Sequence, residues 1–288
     1  MNNSILMSDV KNFSNDQPIN PYYHKEQVDL NKAAIEHENL CQLLINSGVN
    51  VTRIPSPDNC QDGVYTANWA LIRGDKAVMA NLPNARELEE SYAKKVLTDL
   101  GKEIINIPKQ FKFSGQGDAL ACGNLLFCGS GYRSDKEAQK IAAESLGYER
   151  IQLQTIPKLD INSKPIINEA SGWPDSYFYD IDLAIAIIKP PTKTEKGLIA
   201  YCPEAFMIES QQVLEKLDTV NKIIVSIDEA KNGFATNLIS TGEVVIMSAH
   251  APNLTDKLRQ QGLKVFTPDI TELAKGGGYI RCMTLTLN

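Results

Sequence analysis

Apolar and polar positions follow one order that recurs along the chain. A short apolar run, a tight turn and a second apolar run are followed by an amphipathic helix, a glycine, a third apolar run and a proline. The clearest copy predicts a strand over 64–72, a turn at 73–75, a strand over 76–80 and a helix over 85–100. Gly101 stops that helix, and a strand over 103–107 ends at Pro108. The order returns as 119–120, turn, 125–129, helix 135–146, Gly147, strand 150–153 and Pro157. It returns again as 237–240, turn, 244–248, helix 254–261, Gly262, strand 264–267 and Pro268. A looser copy spans 182–227, with an elongated Pro/Lys/Thr turn at 189–197. The N-terminal segment gives an incomplete copy: strand 5–8, helix 32–46, Gly48, strand 50–54 and Pro55. A ββαβ unit cannot bury both strand faces alone, so neighbouring units must pack together. Five units predict a closed ring with helices outside and loops converging on a central channel; an open α/β sheet is the alternative. No Gly/Ser linker or low-complexity segment interrupts the pattern, so one domain over 1–288 is expected.

The closing stretch 276–287 adds chemistry. Gly276, Gly277 and Gly278 let backbone approach a bound group closely. Cys282 then enters an apolar, β-branched run that reads as a buried strand. A thiol at the mouth of a glycine loop suits a nucleophile, and a small buried hydrophobe is the competing reading.

Composition narrows the field. The 288 residues are 43% hydrophobic and 22% charged, which allows a full core without metal or disulfide staples. A net charge of −6 with no basic block argues against nucleic-acid and anionic-membrane partners. No apolar run approaches a membrane span, and residues 1–9 do not read as a signal peptide. Six cysteines without a C-x-x-C pair imply reduced thiols and a cytoplasmic location. The three histidines, His24, His37 and His250, lack metal-ligand spacing, and no metal or cofactor is expected. His37 reads as a helix-surface residue, while His250 follows a strand and could face the channel.

With Cys282 and this five-unit layout, the chain resembles the guanidine-modifying enzymes of the pentein fold. These include arginine deiminase, dimethylarginine dimethylaminohydrolase, the amidinotransferases and arginine dihydrolase, and the dihydrolase pattern matches best. Leu6-Met7-Ser8 with Ile19-Asn20-Pro21-Tyr22 resembles L-M-C/S and I-N-P-x-M. Val64-Tyr65-Thr66-Ala67-Asn68 resembles V-F-T-A-N, and Arg86 with Glu89-Glu90 resembles R-x-G-E-E, Leu88 standing where Gly is usual. Residues 113–120, Phe-Ser-Gly-Gln-Gly-Asp-Ala-Leu, are similar to F-E-G-x-G-D-A-L, and 129–134 to G-x-G-[FY]-R-[ST]. Residues 178–182 are similar to F-Y-H-L-D, and the C-terminal Gly277-Gly278 with 281–285 to G-G-x-x-[RK]-C-L-T-L. Each motif alone is unspecific; seven in one order are not.

The resemblance implies an α/β-propeller of five ββαβ units around a pseudo-fivefold axis, binding a guanidino or ureido small molecule, with oligomerisation left open. It makes Cys282 the nucleophile at the guanidinium carbon and Asp182 the carboxylate that grips the guanidinium nitrogens. Asn68 is a second guanidinium contact, and Asn20, Arg86 and Arg133 hold the amino-acid end. Asp118 is either a channel-facing carboxylate or an Asx-turn residue.

Two departures bear on activity. The family's acid/base His falls at Asp180, and the Glu that orients it falls at Ser114. The losses belong together, because that Glu without its imidazolium would be an unpaired buried charge. Asp180 supports turnover only with a raised pKa, which the neighbouring Asp182 favours. The readings are therefore a Cys-dependent hydrolase or transferase acting on a guanidino group, a non-catalytic relative that binds an arginine-like ligand, or a redox or structural protein.

Overall fold

A computed structural model describes residues 1–288. Its strands form five three-stranded sheets, each with its second strand in the middle. The second sheet is typical. β3 (Ala70–Arg73) turns through Gly74 into antiparallel β4 (Lys76–Met79), then α2 (Leu88–Asp99) leads back to β5 (Glu103–Asn106), parallel to β4. The third sheet repeats this with β6 (Ala119–Cys122), β7 (Leu125–Ser130), α3 (Lys136–Leu146) and β8 (Glu149–Gln154). The fourth uses β9 (Ile185–Lys189), β10 (Gly197–Tyr201), α4 (Ile208–Lys216) and β11 (Val220–Ile224). After α5 (Ile227–Gly233), the fifth uses β12 (Ile239–Ser240), β13 (Val244–Ile246), α6 (Pro252–Gln260) and β14 (Lys264–Phe266).

The unit that looked incomplete is completed from the far end of the chain. β1 (Ser4–Ser8), α1 (Leu30–Asn46) and β2 (Asn50–Ile54) lack a first strand, and β15 (Leu285–Thr286) supplies it. Ile5 pairs with Thr286 and Leu6 with Leu285, antiparallel, so the last strand closes the ring on the first. β7 and β10 are buried along their whole length, as middle strands of covered sheets should be. Gly147 shows the helix-stop device: it follows α3 at φ +67, and its N–H bonds back to the carbonyls of Ala143 and Glu144.

The structure corrects four local expectations. The strand expected over 64–72 starts only at Ala70, because Thr66–Trp69 forms a 3₁₀ turn. There the Thr66 hydroxyl lies 3.0 and 3.1 Å from the Leu6 and Met283 carbonyls, drawing the backbone out of a ladder. Cys282 lies in a turn before β15 and not in a strand. The helix expected over 85–100 is a 3₁₀ turn, Asn84–Arg86, followed by α2. His37 is buried within α1.

These turns share a place in the repeat. In every unit a turn leads into the first strand, and at matching places these turns carry Asn68, Asp118, Asp182, Asn237 and Cys282. All five are at most 3% exposed. The fold thus buries at least one such side chain from each unit.

Candidate functional site

The glycine loop seats the thiol. Gly277 takes φ +83, and a Cβ there would meet Asn20 at 2.1 Å. A Cβ on Gly278 would collide with the Tyr65 ring at 2.6 Å and touch the Cys282 Cβ at 3.0 Å. Tyr179 donates to the Gly277 carbonyl (2.8 Å) and Tyr65 to that of Leu273 (2.6 Å), fixing the loop from two sides. Cys282 Sγ then stands 3.5 Å from Asp182 Oδ2 and accepts a hydrogen bond from Asn237 Nδ2 at 3.1 Å. The Asn237 Oδ1 accepts the backbone N–H groups of Arg281 (3.0 Å) and Cys282 (3.2 Å).

Cys282 borders a narrow cleft with about 10 Å³ of free volume, whose lining includes Asn20, Asp62, Asn68, Arg86, Arg133 and Tyr179. That volume holds about one water, so an amino-acid-sized ligand enters only if the loops lining the cleft part. Arg86, 2% exposed, is gripped bidentately by Glu89 (2.8 and 2.7 Å) and donates to Asn68 Oδ1 at 2.7 Å. Burial works against its charge, but Glu89 holds the guanidinium pKa above its ordinary value. Asn68 Nδ2 donates to Asp180 Oδ2 (2.7 Å) and to the Ser114 hydroxyl (2.9 Å), which donates to Asp180 Oδ1 at 2.8 Å. Arg133 lies flat over the Tyr179 ring, 4.0 Å from its centroid, with Nη1 3.7 Å from Asp180 Oδ2. Its Nη2 donates to the Ile19 carbonyl (3.1 Å), and Asn20 Nδ2 donates to Gly276 O (3.2 Å), tying the first loop to the glycine loop.

All eight residues singled out from the sequence are therefore buried in or beside this cleft. Asp118, Asp180 and Asp182 form no part of its lining. Asp118 Oδ1 accepts the Ile181 N–H at 2.9 Å, a bond to a residue 63 positions away and so not an Asx turn. Burial, then the Asp180 charge, raises Asp118 well above the usual carboxyl range and pushes Asp182 up to about 8. Burial, then Asp182 and Asp180, pushes the Cys282 thiol well above its ordinary value. No imidazole compensates. His24 and His250 are exposed, so His250 does not face the channel, and His37 is buried in α1.

The sequence reading passed over two residues. Asn237 was legible as the fifth-unit counterpart of Asn68, Asp182 and Cys282, each lying just before its unit's first strand. Asp62 lines the cleft and accepts the Tyr23 hydroxyl at 2.6 and 2.7 Å; a lone Asp between loops gave no signal. A second cavity of about 60 Å³, with Asp182 and Arg281 at its wall, does not include Cys282. No three His, Cys, Asp or Glu side chains are grouped to hold a metal ion.

Residues 6–288 match the family described as N,N dimethylarginine dimethylhydrolase, eukaryotic. The chain is 28% identical over 289 residues to the bifunctional arginine dihydrolase/ornithine cyclodeaminase ArgZ of Synechocystis sp., covering 98% of this chain but 37% of that one. It is 29% identical over 272 residues to the N(G),N(G)-dimethylarginine dimethylaminohydrolase of Mycobacterium tuberculosis, covering 94% and 81%. The crystal structure of an ArgZ N-terminal domain variant carrying a covalent reaction intermediate superposes with a TM-score of 0.85 at 27% identity, covering 99% and 97%. With the five units and the thiol turn already in place, the match over almost the whole length decides the matter: the chain belongs to the N,N dimethylarginine dimethylhydrolase family.

Proposed function

We propose that this protein is a cysteine-dependent hydrolase of the guanidino group of arginine or a methylated arginine. The observation that carries the reading is the thiol of Cys282 at 3.5 Å from Asp182 Oδ2, at a cleft bordered by Arg86, Arg133 and Asp62. In this reading the substrate carboxylate meets Arg133 and the one Nη1 hydrogen of Arg86 not held by Asn68. The α-ammonium meets Asp62, Asn20 helps to hold the same end, and Asn68 and Asp182 face the guanidinium.

Asp182 then serves twice, as a guanidinium contact and as the proton carrier. The thiol gives its proton to Asp182, and the thiolate attacks the guanidinium carbon. Asp182 passes the proton to the departing amine, breaking the C–N bond and leaving an amidine thioether on Cys282. Water adds to that carbon, giving one proton to Asp182. The C–S bond then breaks to return the thiolate, and the remaining hydroxyl proton leaves to the released amine, giving the ureido product. A carboxyl titrating near 8 is suited to this exchange at neutral pH. Asp180, with both oxygens taken by Ser114 and Asn68, is assigned to aligning Asn68 and Arg133. Asp118 supports that layer through Ile181.

A second reading, a non-catalytic relative that binds an arginine-like ligand, is favoured by the lack of any imidazole beside the thiol. The separating experiment incubates the protein with arginine, methylated arginines, citrulline, agmatine and guanidinoacetate, followed by mass spectrometry. The hydrolase reading expects released ammonia or methylamine, an acid-quenched adduct on the Cys282 peptide, and loss of both, by roughly 10⁴-fold or more in rate, in Cys282→Ser. Calorimetric binding without product or adduct leaves the binder.

A further inference from the structure

The thiol has no cationic neighbour at its reacting atom, yet it needs something to hold it as thiolate. Burial, Asp182 and Asp180 all oppose its ionisation. The other charged or titratable groups around it are Tyr65, Tyr179 and Arg281, with Asp62, Arg86 and Arg133 lining the same cleft. Arg281 directs its guanidinium elsewhere, donating to the Thr284 carbonyl and to Gln116 Oε1. The one side-chain donor in contact with Sγ is the Asn237 amide, at 3.1 Å.

The orientation of that amide is not arbitrary. Its Oδ1 accepts two backbone N–H groups, from Arg281 and Cys282, which a flipped NH₂ could not do, so Nδ2 must face the sulfur. The side chain is fully buried and its backbone is braced. Asn237 N–H bonds to the carbonyl of Phe234, which takes a left-handed φ of 51 and stacks on Tyr279 at 5.3 Å and 10°. One residue thus fixes both the peptide of the nucleophile and the hydrogen-bond donor to its sulfur.

We propose that Asn237 is a catalytic residue of this site, the neutral donor that holds Cys282 Sγ as a thiolate while its proton resides on Asp182. This rests on Cys282 being the nucleophile, but it concerns the free thiol and needs no substrate. A donor to an anion stabilises it more than a donor to a neutral group does, so removing it should raise the thiol pKa.

The test is the pH dependence of Cys282 alkylation by iodoacetamide, followed on the 282 peptide by mass spectrometry. In the native protein Cys282 should react at neutral pH ahead of the buried Cys122 and Cys128. Asn237→Ala should slow the reaction at pH 7.5 about tenfold, with its pH profile moved up by about one unit. Asn237→Asp should slow it further, since it loses the donor and adds a charge. A purely structural clamp reverses that order, because Asp keeps an oxygen that accepts both backbone N–H groups and Ala does not. Equal profiles, or a larger effect of Ala than of Asp, overturn the proposal. If both variants fail to fold, the native protein still decides: a Cys282 as inert as Cys122 overturns it. The expected order of alkylation rates in a protein that turns over no guanidino compound would leave Asn237 as the donor to the thiolate and remove only the hydrolase reading.

Discussion

The wall of the cleft built by the second unit leaves almost no hydrogen-bonding group idle, whereas the side behind the thiol, where Asp182 and Thr236 border the second cavity, does. On the first, Glu89 accepts from Arg86 and from the Trp69 indole (2.8 Å), and Arg86 also donates to Asn68 and the Tyr65 carbonyl (3.0 Å). On the second, Asp182 Oδ1 and Thr236 Oγ1 are buried without a partner in the protein. Saturated polar groups rigidify a core, while unsatisfied ones raise its energy and are tolerated where a ligand will meet them. The contrast separates a scaffold wall from a reacting wall a few ångströms away.

The sharpest way to break that contrast is to damage the scaffold wall. Glu89→Gln leaves the Arg86 charge buried with half its grip. It should cost about 3–5 kcal/mol, the range for one lost partner of a buried pair. Urea unfolding should show the midpoint falling without a change in slope. A loss below about 1 kcal/mol would mean that water already reaches Arg86, and the wall would not be a scaffold.

Asp182→Asn acts in the opposite sense. The folded protein holds the Asp182 carboxyl at about 8, by burial first and by Asp180 second, against an ordinary 3.8. The folded state therefore binds more protons than the unfolded chain between these values. The stability contributed is present below the unfolded value and is lost as pH rises through the folded one. An amide cannot ionise, so the variant should melt higher than the native protein at pH 8.5, by roughly 2 kcal/mol or about 4 °C, with the gain vanishing near pH 4. The same variant should lose turnover by about 10²-fold or more. Equal melting profiles at every pH would place Asp182 among the satisfied groups.

The sequence was legible where local chemistry and fold agree. Turn residues such as Gly74 and the glycines after the helices marked the units, and the ring needed only the count of copies. It failed where a side chain overrides its own backbone. The 64–69 segment has strand-forming residues, but the Thr66 hydroxyl reaches two carbonyls of the first unit, Leu6 and Met283. The run after Cys282 has β-branched residues, but Asn237 holds the Arg281 and Cys282 N–H groups from 44 and 45 positions away. Neither bond is encoded near the residues it distorts. Of the five turn residues, Asn68, Asp118, Asp182 and Cys282 were found through motifs, and Asn237, without a motif, was missed.

The smallest effect tests the contrast most directly, because it compares two hydroxyls of similar burial. Ser114 Oγ donates to Asp180 Oδ1 and accepts from Asn68; Thr236 Oγ1 bonds to nothing in the protein. Ser114→Ala should cost about 1 kcal/mol, since Asp180 loses a donor but keeps Asn68. It should also couple to Asn68→Ala by roughly 0.5 kcal/mol or more, as members of one network do. Thr236→Val keeps shape and removes an unpartnered hydroxyl, so it should be neutral or slightly stabilising and additive with Asn68→Ala. Urea midpoints for the three single and two double variants decide it. A Thr236→Val cost equal to that of Ser114→Ala would mean that both hydroxyls are satisfied in solution, and the two walls would then differ only in the residues they carry.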